Sequence, residues 1–335
     1  MKVSCSGEPA AGRPLVVLLH GGDDLTTMTA FQETLSADGR VCSYDRLGAG
    51  GSDQPEGPQD YDSVGETLTG VLDQVAGDEP VVLVRHSMGG LIAGRYAPDH
   101  QDRGAGLVLL DSTSPTAVAD VSDRIPESDT GPAGELRAQT LAIFAGENPE
   151  LLVFTDGEVT SAGDIPVRLI QHGQQYLGEV PEYGEGLEED WTAGQHKWLA
   201  LSEDSELSTA ENSGHYIHVD EPDVAVAAID EVTTRAAGRR PSSPLPRDRA
   251  DLALAQVQNP VGPGGQRLVV GDDDDALALL VGEFPEERDD ALGRLLVEIA
   301  GGLVRAQHVD VTGERPGDGD ALLLTAGQLQ HVAAG

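Results

Sequence analysis

Short strand-like runs recur along the first two-thirds of the chain, most of them followed by a stretch long enough for a helix. They lie at 3–6, 15–20, 41–45, 81–86, 106–111 and 167–171. Several carry no polar break, such as Leu15-Val-Val-Leu-Leu19 and Leu107-Val-Leu-Leu110. A strand with one wetted face alternates polar and apolar residues. A strand that does not alternate needs cover on both faces, which is the condition inside a parallel sheet. Helix-like stretches at 29–37, 63–76, 88–97, 133–144, 190–201 and 223–235 supply that cover. The alternation predicts an α/β fold with a doubly wound, mostly parallel sheet flanked by helices.

At 335 residues the chain has room for one large domain and an appendage, or for two domains. The α/β pattern fills 1–236. Within it, 114–163 departs from the pattern, being rich in Asp, Ser, Pro and Gly around one helix. This insertion follows the strand ending at Asp111, where it can cover a site at the carboxyl ends of the strands. An ordinary surface excursion fits the composition equally well. From 237 to 266 the chain reads as a linker, with Arg239-Arg-Pro-Ser-Ser-Pro244 and Val261-Gly-Pro-Gly-Gly265. Beyond Ala236 there is no Tyr, Trp, Met, Cys or Lys, and Phe284 is the one large aromatic side chain. The extension at 267–335 is therefore expected to be poorly ordered and without catalytic residues.

The formal net charge is −37, and lysine occurs only at Lys2 and Lys197. Such a surface repels nucleic acid and anionic membrane, so neither is an expected partner. No apolar run approaches the roughly 18 residues that span a bilayer. Residues 1–11 lack the basic start and apolar stretch of a signal peptide, so a cytoplasmic protein is expected, although a secreted, trimmed form would read alike. Self-repulsion of this size destabilises a compact state at low salt and is screened in molar salt, where the Debye length is about 3 Å. The expectation is a halophilic host, with an acidic protein from a GC-rich mesophile as the alternative. The measurement that checks it is thermal melting, with a Tm that climbs between low and molar salt; equal melting in both would overturn it. Cys5 and Cys42 match no metal or redox spacing and are either buried small hydrophobes or one disulfide.

One apolar run, Val81-Val-Leu-Val-Arg-His-Ser-Met-Gly-Gly90, leads straight into a serine, and Met88 opens a helix. Such a turn lifts the Ser87 hydroxyl clear of the backbone. The helix N-terminus behind it offers N–H groups and a positive dipole end to a developing oxyanion. Upstream, Pro14-Leu-Val-Val-Leu-Leu-His-Gly-Gly22 ends a buried strand in His-Gly, and Asp45-Arg-Leu-Gly-Ala-Gly-Gly-Ser-Asp53 forms a glycine-rich loop. A phosphate cradle is the alternative for Gly48–Gly51, but no helix or Lys follows it. Downstream lies Asn212-Ser-Gly-His-Tyr-Ile-His-Val-Asp-Glu-Pro-Asp223. A serine nucleophile needs an imidazole on a loop that can reach it, and the Ser-Gly-His loop offers His215 as the candidate base. His218 is expected to face away; a His-x-x-His metal site lacks further ligands.

Taken in order, these motifs resemble the α/β-hydrolase superfamily, and within it a compact bacterial esterase-like group of serine hydrolases. The resemblance spans about 3–235. It makes Ser87 the nucleophile in a G-x-S-x-G elbow, and Gly22 with Met88 the oxyanion-hole N–H donors. His20 becomes structural, and 190–202 a packing helix. It also places the 114–163 insertion after the family's sixth strand, and it implies that the usual first strand is missing ahead of Val3, as in a trimmed chain. The strand carrying Cys5 falls beside the one carrying Cys42, which leaves a disulfide sterically open.

Two positions depart from the family. Arg85 stands where the elbow has its first glycine, while Gly89 keeps the second. A long side chain there strains the turn or narrows the pocket. The usual acid loop, G-x-x-D, reads Gly173-Gln-Gln-Tyr176 and lacks a carboxylate. Asp111, at the end of the preceding strand, is the expected replacement, with Glu179, Glu182, Asp164 and Asp190 as alternatives. The implied chemistry is hydrolysis of a small carboxylic ester or related acyl bond through an acyl-enzyme, without metal or organic cofactor. Two other readings use the same residues: a binding protein disabled by Arg85, and a cofactor-free haloperoxidase-like or acyltransferase activity.

Overall fold

The computed structural model describes residues 1–239. The expected extension and all of the expected linker except 237–239 lie outside the described residues; 237–239 belong to the last helix.

Strands β1 (Val3–Ser6), β2 (Val16–Leu19), β3 (Val41–Tyr44), β4 (Val81–His86), β5 (Gly104–Leu110), β6 (Val167–His172) and β7 (Ser205–Ala210) form one sheet. Their order is β1-β3-β2-β4-β5-β6-β7, and only β1 runs antiparallel to its neighbour. The helices are α1 (Thr29–Leu35), α2 (Tyr61–Ala76), α3 (Met88–Asp99), α4 (Ala117–Arg124), α5 (Pro132–Phe144), α6 (Gly184–Trp198), α7 (Ile217–Asp220) and α8 (Pro222–Arg239). This is the expected doubly wound arrangement.

Period-two alternation sorts the aliphatic runs between two cores. Val17, Leu19, Leu83, Leu107, Leu109 and Leu169 pack with Leu68, Leu72, Ile92 and Trp198, toward α2 and α3. Val16, Leu18, Val82, Val84, Val108, Leu110 and Ile170 pack with Phe31, Ile229 and Val232, toward α1 and α8. Both faces of the central strands are dry, which is why their sequences do not alternate. β7 carries no aliphatic run to mark it: Ser205-Glu-Leu-Ser-Thr-Ala210 is an edge strand with Glu206 and Ser208 exposed. α6 begins before the expected position 190, its first turn disguised by the weak helix formers Gly184 and Gly186.

The insertion after β5 holds two helices, α4 and α5, where the composition suggested one. Val121, Ile125, Ala133 and Leu136 pack against Leu177, Val180 and Leu187, so the insertion is anchored to α6 and the loop before it rather than lying free on the surface. Cys5 and Cys42 face each other across the β1–β3 ladder and are joined by a disulfide. In the chain-entropy account, closing that loop contributes up to about 4 kcal/mol. Disulfides persist in oxidising compartments, so this bond and the expected cytoplasmic location pull in opposite directions.

Candidate active site

Parallel strands bring their carboxyl ends to one edge of the sheet, and the candidate residues collect there. Ser87 joins β4 to α3 with φ 51° and ψ −122°, a conformation that costs a non-glycine residue steric strain. The turn is tight: a Cβ on Gly89 would lie 2.7 Å from the His20 carbonyl oxygen and 2.8 Å from that of Leu19. The second elbow position is therefore closed to any side chain. A Cβ on Gly21 would come within 3.1 Å of Ser87 Cβ, so the Gly21–Gly22 loop rests against the serine.

That loop is held by Arg46, whose guanidinium is buried and bonded through all three nitrogens. It donates to the His20 carbonyl at 2.9 Å, to the Gly21 carbonyl at 2.5 Å, and to both oxygens of the buried Glu150 at 2.6 and 3.0 Å. One ion pair thus ties together the loops after β2 and β3 and the insertion. His20 is buried with Nδ1 3.1 Å from the Gly21 carbonyl oxygen, a structural setting. The glycine-rich loop does not cradle an anion. The space beside Gly50 is filled by the Asp45 carboxylate, which accepts from the N–H groups of Leu25 and Gly51.

Asp111 follows β5 with φ 43° and is fully buried. Its Oδ2 lies 2.7 Å from His215 Nδ1. Its Oδ1 accepts from Trp191 Nε1 at 2.9 Å and from the His172 backbone N–H at 3.2 Å, and lies 2.9 Å from His172 Nδ1. Burial opposes the charge, but hydrogen bonds from His172 and His215 outweigh it and hold the Asp111 carboxyl well below the usual range. Of the alternative acids, Asp164 pairs with Arg239 and Asp190 with Arg124, while Glu179 and Glu182 are exposed.

Several contacts around these residues are not legible in the sequence. His172 ends β6; its Nε2 lies 2.8 Å from Glu188 Oε2 on α6. Tyr176, in the place of the usual acid, sets its hydroxyl 3.2 Å from His215 Nδ1. His86 donates from Nε2 to the His215 carbonyl at 2.9 Å, pinning the histidine loop to the residue before Ser87. Burial, with His215 and His218 close by, keeps His86 well below the ordinary imidazole range. His218 packs its ring against Phe31 and His86 instead of meeting Asp111. Each of these contacts joins residues far apart in sequence, so no local motif announces them.

Ser87 and Met88 border a cavity of about 80 Å³. Val121, Leu136, Ile143, Phe144, Leu177, Leu187 and Trp191 supply its apolar wall. Its two carboxylates are engaged. Asp120 accepts from Ser114 and Thr116 with Lys197 3.5 Å away, and Asp190 accepts two hydrogen bonds from Arg124. Among the described residues, no basic side chain lines the cavity.

Arg85 is the misfit. It follows Val81 and Leu83 on the α2–α3 side of β4, has no exposed surface, and does not line the cavity. Among the described residues its Nε, Nη1 and Nη2 have no hydrogen-bond partner. Burial alone pulls the guanidinium down to about 9.

Among curated proteins, the uncharacterized protein YqjL of Bacillus subtilis is 26% identical over 192 residues, covering 57% of this chain and 72% of that protein. Proline iminopeptidase of Saccharolobus solfataricus is 38% identical over 76 residues, covering 22% of this chain and 24% of that protein. Among solved structures, an esterase from Thermogutta terrifontis superposes with a TM-score of 0.49 at 18% identity, over 70% of this chain and 93% of that one. MenH from S. aureus gives the same TM-score and identity, over 70% of this chain and 98% of its own. Residues 16–229 match the alpha/beta hydrolase family. That stretch is more than half of the chain and takes in every strand that carries a site residue, and the chain belongs to the alpha/beta hydrolase family.

Proposed function

We propose that this hydrolase cleaves small, uncharged carboxylic esters through an acyl-enzyme on Ser87. The contact between His215 Nδ1 and Asp111 Oδ2, 2.7 Å long and on the same sheet edge as Ser87, carries the reading. With Nδ1 directed to the carboxylate, Nε2 is the nitrogen that takes a proton. Ser87 Oγ attacks the ester carbonyl carbon as its proton passes to His215 Nε2. The N–H groups of Gly22 and Met88 hold the oxyanion. Collapse of the tetrahedral intermediate expels the alcohol, which takes the proton back from Nε2. Water then repeats the sequence on the acyl-enzyme and releases the acid.

The lining argues for the substrate class. An apolar wall without a cation offers nothing to a substrate carboxylate or phosphate, and the net charge of −37 repels anions at long range. Neutral p-nitrophenyl butyrate is expected to exceed a hemisuccinate ester of the same alcohol in kcat/KM by about tenfold or more. Equal values would remove the charge argument. The same panel with a peroxide or an acceptor alcohol separates hydrolysis from haloperoxidase-like chemistry and acyl transfer.

Fluorophosphonate labelling tests the reading itself. Stoichiometric attachment mapped to Ser87 is expected. No attachment, in protein shown to be folded, would support a non-catalytic binding protein instead. Arg85 lends that rival little support, since it does not line the cavity.

A further inference from the structure

We infer that His172, bridging Asp111 and Glu188, is a second imidazole wired to the acid: a positioning residue that orients Asp111 and sets the charge His215 senses. This rests on the Ser87–His215–Asp111 reading above. The geometry is specific. Both ring nitrogens of His172 face carboxylates, Nδ1 at 2.9 Å from Asp111 Oδ1 and Nε2 at 2.8 Å from Glu188 Oε2. A neutral imidazole has one N–H and satisfies one such partner; an imidazolium satisfies both. Glu188 is fixed in turn by the Gly178 N–H at 3.1 Å, and all three side chains are buried. Burial opposes a charged His172, but the two carboxylates outweigh it and push it up to about 9.

The remaining groups around His172 do not substitute for this pair. Tyr176 meets the ring edge-on with centroids 4.7 Å apart, and Trp191 donates to Asp111. Farther along α6, Asp190 is engaged by Arg124, while Glu185, Glu189 and His196 border a surface cleft shared with Glu188. His215 is the other titratable partner of Asp111.

The bridge has its origin in the position of Asp111 at the end of β5. The usual acid loop after β6 is empty of a carboxylate, and the acid is borrowed from β5. Its second oxygen then points into the end of β6 and needs a donor. His172 supplies both a side-chain and a backbone donor there. A lone imidazolium would cancel the Asp111 charge and weaken His215 as a base. Glu188 restores the single net negative charge.

Two substitutions separate this electrostatic role from simple packing, because they shift His215 in opposite directions. His172→Gln removes a positive charge, so the acidic limb of kcat/KM should move to higher pH by about one unit. Glu188→Gln removes a negative charge, so the same limb should move to lower pH by a similar amount. Ring ¹⁵N NMR of the intact protein reads the same shifts in His215 without turnover. In the unmodified chain it should also show His172 doubly protonated through neutral pH. A neutral His172, shifts in the same direction, or an unmoved His215 in both variants would overturn the inference. Opposite shifts by NMR in a protein that fluorophosphonate fails to label at Ser87 would uphold the coupling and sink only the hydrolytic reading.

Discussion

Asp111→Asn is expected to lower kcat by about 10⁴-fold while leaving KM nearly unchanged. The carboxylate is surrounded by donors: His215 Nδ1, His172 Nδ1, the His172 backbone N–H and Trp191 Nε1. An amide has one acceptor oxygen, and its nitrogen would meet N–H groups where the second oxygen stood. If the amide nitrogen faces His215, the ring must accept at Nδ1 and carry its proton on Nε2. That is the wrong tautomer for taking a proton from Ser87. Ground-state binding uses the apolar cavity and is untouched, so the loss falls on turnover. Steady-state kinetics on p-nitrophenyl butyrate, with the rate of fluorophosphonate labelling alongside, check this. Turnover at the level of the unmodified enzyme would take the acid role away from Asp111.

Arg85→Met is expected to stabilise the protein by on the order of 4 kcal/mol, a rise in Tm of roughly 10 °C. Two buried arginines make the comparison. Arg46 makes four hydrogen bonds, two of them to a buried carboxylate. Arg85, equally buried, has no hydrogen-bond partner among the described residues. A buried ion without a counter-charge carries a desolvation cost of several kcal/mol. Methionine keeps much of the length and removes the charge. The pH dependence gives a second check. Below about 9 the guanidinium is protonated in both folded and unfolded chains, and the full penalty is present. As pH rises through 9 the folded state sheds the proton first, so the penalty shrinks and the advantage of the Met variant narrows. Calorimetric melts at pH 7 and pH 10 read both effects. An Arg85→Met variant that melts at or below the unmodified protein at pH 7 would overturn the account.

Arg85 also shows how a sequence departure changes meaning once packed. Two residues before Ser87 in sequence, it suggests damage to the proposed chemistry. In the fold, its side chain lies under the elbow on the α2–α3 side, away from the cavity, while Ser87 keeps its strained turn. The expected consequence passes from catalysis to stability.

What the sequence determined by itself is whatever depends on neighbours along the chain. Unbroken aliphatic runs of strand length between helix-like stretches call for cover on both faces, which a parallel sheet provides. The elbow is written in Ser87-Met-Gly89, where backbone crowding leaves room only for glycine. The Ser213-Gly-His215 loop marks its imidazole in the same local way. What only the tertiary structure decided is which groups meet across the sheet edge. Asp111 and His215 are 104 residues apart, and strand order and side-chain direction bring their polar atoms to 2.7 Å. His172 lies just past the strand expected at 167–171, Glu188 just ahead of the helix expected from 190, and Tyr176 stands where the usual acid loop lacks a carboxylate. Their roles arise because the carboxyl ends of β5 and β6 are adjacent and α6 lies over them. Hydrogen bonds are short-ranged and directional, so a pattern read along the chain cannot report partners that only folding brings within 3 Å.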